Sequence, residues 1–362
     1  MGLLFSRDTR VFLKKTNATW EIPVLDGFSF SQAQNSSEIT LNEMESSDGE
    51  SRRARQMFND SFAPAEWSFQ SYMRPNEGFG PAEDALWSAF FYNDSSEYVG
   101  NAVGPITIAA SAWTVAATAS NKTNLTTFDL YFVMGAGTTG SESADFTAST
   151  AIKIYKIEEC VVNEAAIDFD VEGIATINWS GFGKLISEVT TSFDGEANLV
   201  NRSIESTTNF LRNRLTQVSL SSTTAATGSS YTLTLTGGNI TMNNNITYLT
   251  PETLGEVNSP LAHITGTRTI GGNFTCYLGT DTDETSDLFR RIISASSTIT
   301  NEFTMNVAIG GTSGRTVEID MQQCHLEVPQ HSIEDVISLD TSFHALPSDI
   351  DGADEVTVAY KW

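Results

Sequence analysis

Basic residues are scarce in this chain of 362 residues. Only 20 lysines and arginines stand against 45 aspartates and glutamates, which gives a formal net charge of −25. A protein that binds nucleic acid by neutralising phosphates needs a basic surface. The shortage of positive charge therefore excludes that class of protein and favours one that DNA avoids.

Cysteines and long apolar runs are scarce as well. Three cysteines in 362 residues do not form the disulfide framework of a small secreted domain, so we expect buried thiols. No segment approaches the eighteen consecutive apolar residues of a membrane span, which predicts no membrane association. The N-terminus lacks the basic and apolar regions of a signal peptide. We expect the chain to be made and folded in the cytoplasm.

Catalytic signatures are missing. No G-x-S-x-G, H-E-x-x-H, C-x-x-C or Walker-type run occurs. Residues 135–140 fit G-x-G-x-x-G, but no apolar-periodic helix follows, which favours a hairpin loop over a dinucleotide site. Cys324, His325 and His331 suggest metal ligands, yet the matching positions of the first half hold apolar residues. We therefore predict no catalytic residues, no cofactor and no metal site.

What the sequence does contain is a repeat. Residues 151–183 return in altered form as residues 316–347, and several matched positions keep one spacing of 164 residues. These positions are Cys160 and Cys324, Trp179 and Phe343, and Phe182 and Leu346. A match that keeps its register over about thirty residues indicates an internal duplication.

Alternating apolar and polar residues predict a mainly β fold. Two stretches are typical of helices instead, at residues 80–92 and 284–294, and the first has Pro and acidic residues at its start. We predict two tandem β-sandwich or small-barrel domains, each with one short α-helix. The predicted boundaries are 1–190 for the first domain, 191–208 for a linker and 209–362 for the second domain.

A long polar segment, Glu45 to Glu66, separates two strand candidates of the first half. Its length exceeds what a hairpin needs, and loops of this length are usually functional or disordered. Arg52, Arg53 and Arg55 make it the densest positive charge in an acidic chain. The segment is either a solvated loop or a contact that docks onto an acidic face of a neighbouring copy.

Five segments together resemble one protein family. They are WEIPVLDGFSFSQ, AEWSFQSYMRP, IDFDVEGIATINWSGFG, FLRNRLTQVSL and SIEDVISLDTSF. In this order the chain resembles the tail tube (major tail) proteins of long-tailed bacteriophages, over most of its length. The resemblance implies tail-tube-like β-sandwich or barrel domains with one flanking helix. It also implies a structural virion protein whose rings stack into a hollow tube that delivers DNA.

The same resemblance suggests how the chain assembles. Most tube proteins carry one such domain and form six-membered rings, so a duplicated chain is expected to form trimeric rings. We expect Arg52, Arg53 and Arg55 to contact the adjacent ring. We also expect the lumen to be net negative, so that DNA passes through it without specific binding. The implied partners are further copies, the tape measure, tail tip or baseplate, and terminator proteins, and a sheath if the tail is contractile. The implied location is the virion tail, after a stage in the host cytoplasm.

Two other classes of protein share parts of this pattern. A β-rich surface adhesin or carbohydrate-binding protein would have similar strands rich in Thr, Ser and Asn, but it should carry an export signal. A carbohydrate-active β-sandwich enzyme would need two carboxylates about 5 to 10 Å apart. Polysaccharide hydrolysis assays separate this last class from a structural protein.

Overall fold

The computed structural model describes most of the chain. The described residues are 3–15, 18–39, 55–76, 81–91, 112–117, 125–139, 143–195, 199–201, 209–222, 230–255, 257–294, 303–311, 314–350 and 352–362. These residues form a mainly β protein with two short helices, as the sequence predicts. Neither described helix is long and apolar enough to cross a membrane.

Within these ranges, strands follow one another along the chain and two α-helices interrupt them. In the first part lie β1 (Thr9–Lys15), β2 (Ala18–Ile22), β3 (Ser29–Ile39), β4 (Gln56–Tyr72), α1 (Asp84–Phe91), β5 (Ala112–Ala116), β6 (Phe128–Met134), β7 (Asp145–Thr147), β8 (Lys153–Asp170), β9 (Thr176–Gly183), β10 (Ile186–Val189), β11 (Ser192–Asp194) and β12 (Leu199–Asn201). In the second part lie β13 (Gln217–Ser222), β14 (Ser230–Thr232), β15 (Leu235–Asn243), β16 (Ile246–Leu249), β17 (Ala262–Thr265), β18 (Thr269–Tyr277), α2 (Thr285–Ser294), β19 (Phe303–Ile309), β20 (Thr316–Leu326), β21 (Gln330–Ile333), β22 (Ile337–Ala345) and β23 (Thr357–Lys361).

One eight-stranded antiparallel sheet runs through the whole chain, in the order β3-β4-β9-β8-β15-β18-β22-β21. It packs against two outer sheets with the orders β2-β1-β6-β8-β10 and β14-β13-β19-β20-β23-β5. The apolar core lies between these layers. The first part of the chain also gives β5 to the outer sheet of the second part.

Two long strands connect the layers because each one bends. The first residues of β8 pair with β6 and β10, and its last residues pair with β9 and β15. Its pairing with β6 shifts register beside Cys160, and Glu159 there has a positive φ of 49°. The pairing of β20 with β19 shifts register beside Cys324 in the same way. Such bulges redirect a strand, and both cysteines are fully buried at the bends.

The two parts of the chain pair their strands in the same order. β3, β4, β9 and β8 of the first part match β15, β18, β22 and β20 with β21 of the second part. This agreement is what a duplicated fold requires, but the boundaries at 190 and 209 stay a prediction. Within residues 191–208, β11 pairs with β7 and β12 pairs with β2.

Strand pairing corrects two of the matched positions. Trp67 lies opposite Gly181 in the first part, and Gly272 lies opposite Phe343 in the second part. β8 pairs Val162 with Gly181, and β20 pairs Leu326 with Phe343. Gly181, rather than Trp179, therefore occupies the place of Phe343, and Phe182 occupies that of His344 rather than Leu346; both lie two residues from the predicted match. The two halves differ in which strand carries the large side chain. In the first part Trp67 on β4 faces a glycine of β9, whereas in the second part Phe343 on β22 faces a glycine of β18.

Helix α1 ends up fully buried where the two parts meet. All of its residues are buried, and Trp87 packs edge-on against Trp179 with ring centroids 4.8 Å apart. Asn244, which follows β15, donates its side-chain N–H to the carbonyl oxygen of Phe90 at 3.1 Å. The predicted helices at 80–92 and 284–294 are confirmed with the slightly shorter bounds of α1 and α2.

The predicted loop from Glu45 to Glu66 is wrong in its second half, because β4 begins at Gln56. Residues 34–39 and 55–62 form a two-stranded extension that we call the hairpin arm. Its side chains are mostly exposed, so the alternation that normally reveals a strand is absent. Polar cross-strand contacts hold it instead, including the 2.9 Å bond from Asn35 Nδ2 to Ser61 Oγ.

Candidate functional site

The eight-stranded sheet has one apolar face and one polar face, because side chains alternate along a strand. In β4, Ala65, Trp67 and Phe69 are buried in the core. Glu66 and Ser68 lie between them in sequence and therefore point away from the core. The same alternation holds in the last part of β8 and in β9, β18 and β22.

We call the outward surface of this sheet the polar face. It is formed by Glu66, Ser68, Gln70, Glu164, Asp168, Asp170, Asn178, Ser180, Asn239, Thr241, Asn243, Asn273, Thr275, Ser338, Asp340, Ser342 and His344. Acids, amides and hydroxyls dominate it. Among the described residues of these strands, no lysine or arginine lies on this face. The surface is therefore negatively charged and well hydrated.

Some short polar side chains at this face bond to polar neighbours on the adjacent strand. Asn243 donates its side-chain N–H to Glu164 at 3.1 Å, and Gln70 donates to the Thr176 hydroxyl at 3.1 Å. These bonds use one N–H of Asn243 and one of Gln70. In the described strands, the arrangement provides a hydrated polar surface without a cationic side chain that could hold a phosphate.

Of the three arginines predicted to make the contact, Arg55 lies within the described residues, in the hairpin arm. Arg55 immediately precedes β4, and its Nη1 is 3.3 Å from Glu38 Oε2 on β3, with 68% of the arginine side chain exposed. Such an exposed ion pair contributes little stability, so the guanidinium can exchange partners. Arg52 and Arg53 lie outside the described residues. Met57 and Phe58 are more than half exposed on the same arm.

A buried polar cluster links α1 to the last strand, and sequence reasoning missed it. The Tyr360 hydroxyl donates to Glu83 Oε1 at 2.7 Å and accepts from Trp87 Nε1 at 3.0 Å. Burial raises the pKa of Glu83 to about 7, although the bond from Tyr360 and the charge of Arg74 oppose that rise. No local pattern predicts this cluster, because Glu83 and Tyr360 are 277 residues apart.

The three candidate metal ligands do not converge. Cys324 is fully buried, and burial raises the pKa of its thiol to about 12. His325 is the next residue in β20 and points to the opposite face of the sheet. His331 contacts the ring of Phe289 instead, with centroids 4.9 Å apart. Within the described residues, no group of three or more His, Cys, Asp or Glu could hold a metal ion.

Comparison with known proteins gives two matches that cover most of the chain. Residues 27–353 match a family model described as phage tail tube protein. The chain is also 29% identical over 376 residues to the tail tube protein pb6 of Escherichia phage T5. That alignment covers 98% of this chain and 75% of pb6.

Proposed function

The chain belongs to the phage tail tube protein family, and from that premise we propose that it forms trimeric rings that stack into the hollow tube of a phage tail. DNA passes through that tube during delivery to the host. The protein acts as a structural element of the virion tail, with no catalytic activity and no cofactor. It is folded in the host cytoplasm before it assembles.

The observation that carries this proposal is the polar face. A surface with acids and without lysine or arginine repels DNA phosphates, and it gives them no cationic site at which to stop. Repulsion acts within about 8 Å of the surface at physiological ionic strength. A tube lined by this face lets DNA move without base-specific contacts or tight phosphate binding.

Three chains per ring follow if the two matched parts act as equivalent units around the tube axis. Each chain then supplies two of the six positions that a single-domain protein fills with six chains. The pairing of β8 with β15, which joins the two matched parts in one sheet, supports this arrangement. Continuous pairing around the ring leaves no sheet edge exposed to uncontrolled association.

Stacking needs a heterologous contact between the top of one ring and the bottom of the next. We assign part of this contact to the hairpin arm with Arg52, Arg53 and Arg55. The described arm is mostly exposed, and the three arginines close together in the sequence contrast with a chain of net charge −25. One exposed pair is worth only about 0 to 1 kcal/mol, but a ring repeats each contact.

A tail tube also needs other proteins at its two ends and, in a contractile tail, a sheath around it. We propose the tape measure protein, the tail tip or baseplate, and the terminator as further partners, with a sheath if the tail is contractile. No membrane partner is proposed. These proteins would contact either the ends of the stack or the surfaces of the rings.

Electron microscopy of negatively stained, purified protein tests the proposal. The expected result is rings or tubes with a central channel, and class averages with threefold symmetry. Rings of six chains would reject the stoichiometry, and a protein that stays monomeric under all assembly conditions would reject the function itself.

A further inference from the structure

The chain contains its own example of how two units join. The last residues of β8 pair antiparallel with β15, from Glu164 opposite Asn243 to Asp170 opposite Gly237. This joint connects the two parts of the eight-stranded sheet. The two edge strands of the same sheet, β3 and β21, match the two strands of this joint, β15 and the end of β8.

One edge strand of the eight-stranded sheet is β3, which is equivalent to β15 in the second part of the chain. In register, Ser29 lies opposite Ser68, and Asn239 lies opposite Asn273. β4 and β18 are themselves equivalent, since β4 pairs with β9 and β18 pairs with β22. Ser29 therefore occupies the position of Asn239. Among the described strands, β3 pairs only with β4.

The other edge strand of this sheet is β21, which is equivalent to the last residues of β8 in the first part of the chain. Gln330 lies opposite Asp340 in β22, as Ala166 lies opposite Asn178 in β9. Two residues further along, Ser332 occupies the position of Asp168. In the described part of the chain, β21 pairs only with β22.

We propose that β21 of one chain pairs antiparallel with the start of β3 of a second copy, in the register of the β8–β15 joint. Asp168 lies opposite Asn239 in that joint. The transferred register places Ser332 opposite Ser29, Gln330 opposite Ser31, His331 opposite Phe30, and Ile333 opposite Phe28. This inference rests on the proposed ring and specifies how the ring closes.

Burial supports the same partner independently. Phe169 in β8 is 4% exposed, whereas Ile333 at the matching position in β21 is 78% exposed. An apolar side chain left in water at a position that is buried elsewhere in the fold indicates a missing neighbour. Phe28 of a second copy would cover Ile333 in the transferred register.

The helices show the same contrast. α1 lies beneath the β8–β15 joint and is buried throughout. α2 lies beside β21, where Phe289 touches His331, but Ile293 is half exposed. A second chain paired with β21 would extend the sheet over this open side of α2.

The paired segment begins at Gln330. The preceding residue is Pro329, which has no N–H to give to a neighbouring strand. Proline is tolerated at an edge or at the first residue of a paired segment. Its position limits the proposed joint to the four residues that follow it.

Engineered disulfides test the register directly. Ser29→Cys and Ser332→Cys are combined in one chain, and the assembled protein is oxidised with diamide, which accepts the two electrons and two protons of the thiols. Directly opposed strand residues lie about 4.5 to 5.5 Å apart, within reach of a disulfide. Seven strand spacings of about 4.8 Å separate the two sites within one chain, so a bond must join two chains. The expected product is a covalent dimer and a closed trimer on a denaturing gel.

Matched variants control the experiment. Ser31→Cys with Ser332→Cys is displaced by two residues and should give roughly tenfold less product, since diagonal neighbours are about 7 to 8 Å apart. Ser31→Cys with Gln330→Cys is a second pair in the proposed register and should link equally well. Asp168→Cys with Asn239→Cys should form an intrachain disulfide. The native cysteines are buried and do not interfere.

Microscopy of the same samples separates the two proposals. Rings that contain no Ser29–Ser332 cross-link, while Asp168→Cys with Asn239→Cys links normally, would overturn the register and leave the tube function standing. Equal linking by the displaced pair would overturn it as well. An absence of rings in the unmodified protein would reject the proposed function together with this joint.

Discussion

Trp67 lies directly against Gly181 on the neighbouring strand. A β-carbon added to that glycine would lie 2.5 Å from Cζ2 of the indole and 2.1 Å from the carbonyl oxygen of Val161. Neither the ring nor the backbone can yield without moving the sheet. The absence of a side chain at position 181 is therefore required by the packing of β4 and β8 on β9.

Gly181→Ala is expected to lower the free energy of unfolding by at least about 2 kcal/mol, because overpacking of a well-packed core costs this much. Gly237→Ala is the control, in the same sheet, where the nearest atom to a new β-carbon is 3.4 Å away. We expect that control to change stability by less than about 1 kcal/mol. Urea denaturation of both variants measures the difference, and equal stability of the two would contradict the packing argument.

Glu83→Gln should remove a pH dependence from stability. Burial raises the pKa of Glu83 from 4.5 in the unfolded chain to about 7 in the fold. The unfolded state therefore loses its proton first, and the folded protein loses stability as the pH rises from 4.5 to about 7. A rise of this size corresponds to roughly 3 kcal/mol. Arg74 and Asp84 are the charged groups near this carboxyl.

The measurement is urea denaturation at pH 4.5 and pH 7.5. Gln keeps an oxygen that accepts from Tyr360, so the variant should gain stability relative to the parent protein between the two pH values. Glu66→Gln, on the polar face, serves as a control and should follow the parent protein. A constant difference between Glu83→Gln and the parent would show that Glu83 does not titrate in this range.

Reversal of Arg52, Arg53 and Arg55 to Glu should abolish tube formation and leave a folded protein. The arm lies outside the core, so its charges affect contacts between copies more than the fold. A charge-matched control reverses Arg7, Lys14 and Lys153, which lie in or beside the first outer sheet. Circular dichroism checks folding and microscopy checks assembly. Normal tubes from the arm variant would remove the arm from the stacking contact.

The charge of the polar face should determine how DNA behaves in the tube. Glu66, Asp168 and Asp340 are exposed on it, and their replacement by Lys should produce tubes that retain duplex DNA. Binding should weaken with salt, with a slope of about −0.9 for each phosphate neutralised. A neutral variant that combines Glu66→Gln, Asp168→Asn and Asp340→Asn controls for the loss of the acids. Fluorescence anisotropy detects retention, and strong binding by the unmodified tube would contradict the proposal.

Local sequence determined which segments become strands and helices. Alternation in 65–73 and in 176–183 is visible in the letters, because one face of each strand meets the core and the other meets water. The strands of the hairpin arm show no such alternation, because both of their faces are in water, and the sequence therefore does not predict them. The helices were found because acids and apolar i,i+4 pairs are local signals.

The sequence by itself also determined the mainly β class, the repeat marked by Cys160 and Cys324, and the acidic balance. Only the tertiary structure decided that β8 pairs with β15, that Trp67 faces Gly181, and that the acids of separate strands share one face. It alone placed Glu83 beside Tyr360. The physical reason is distance along the chain: periodicity records whether a residue meets core or solvent, whereas pairing depends on contacts between residues that no local pattern connects.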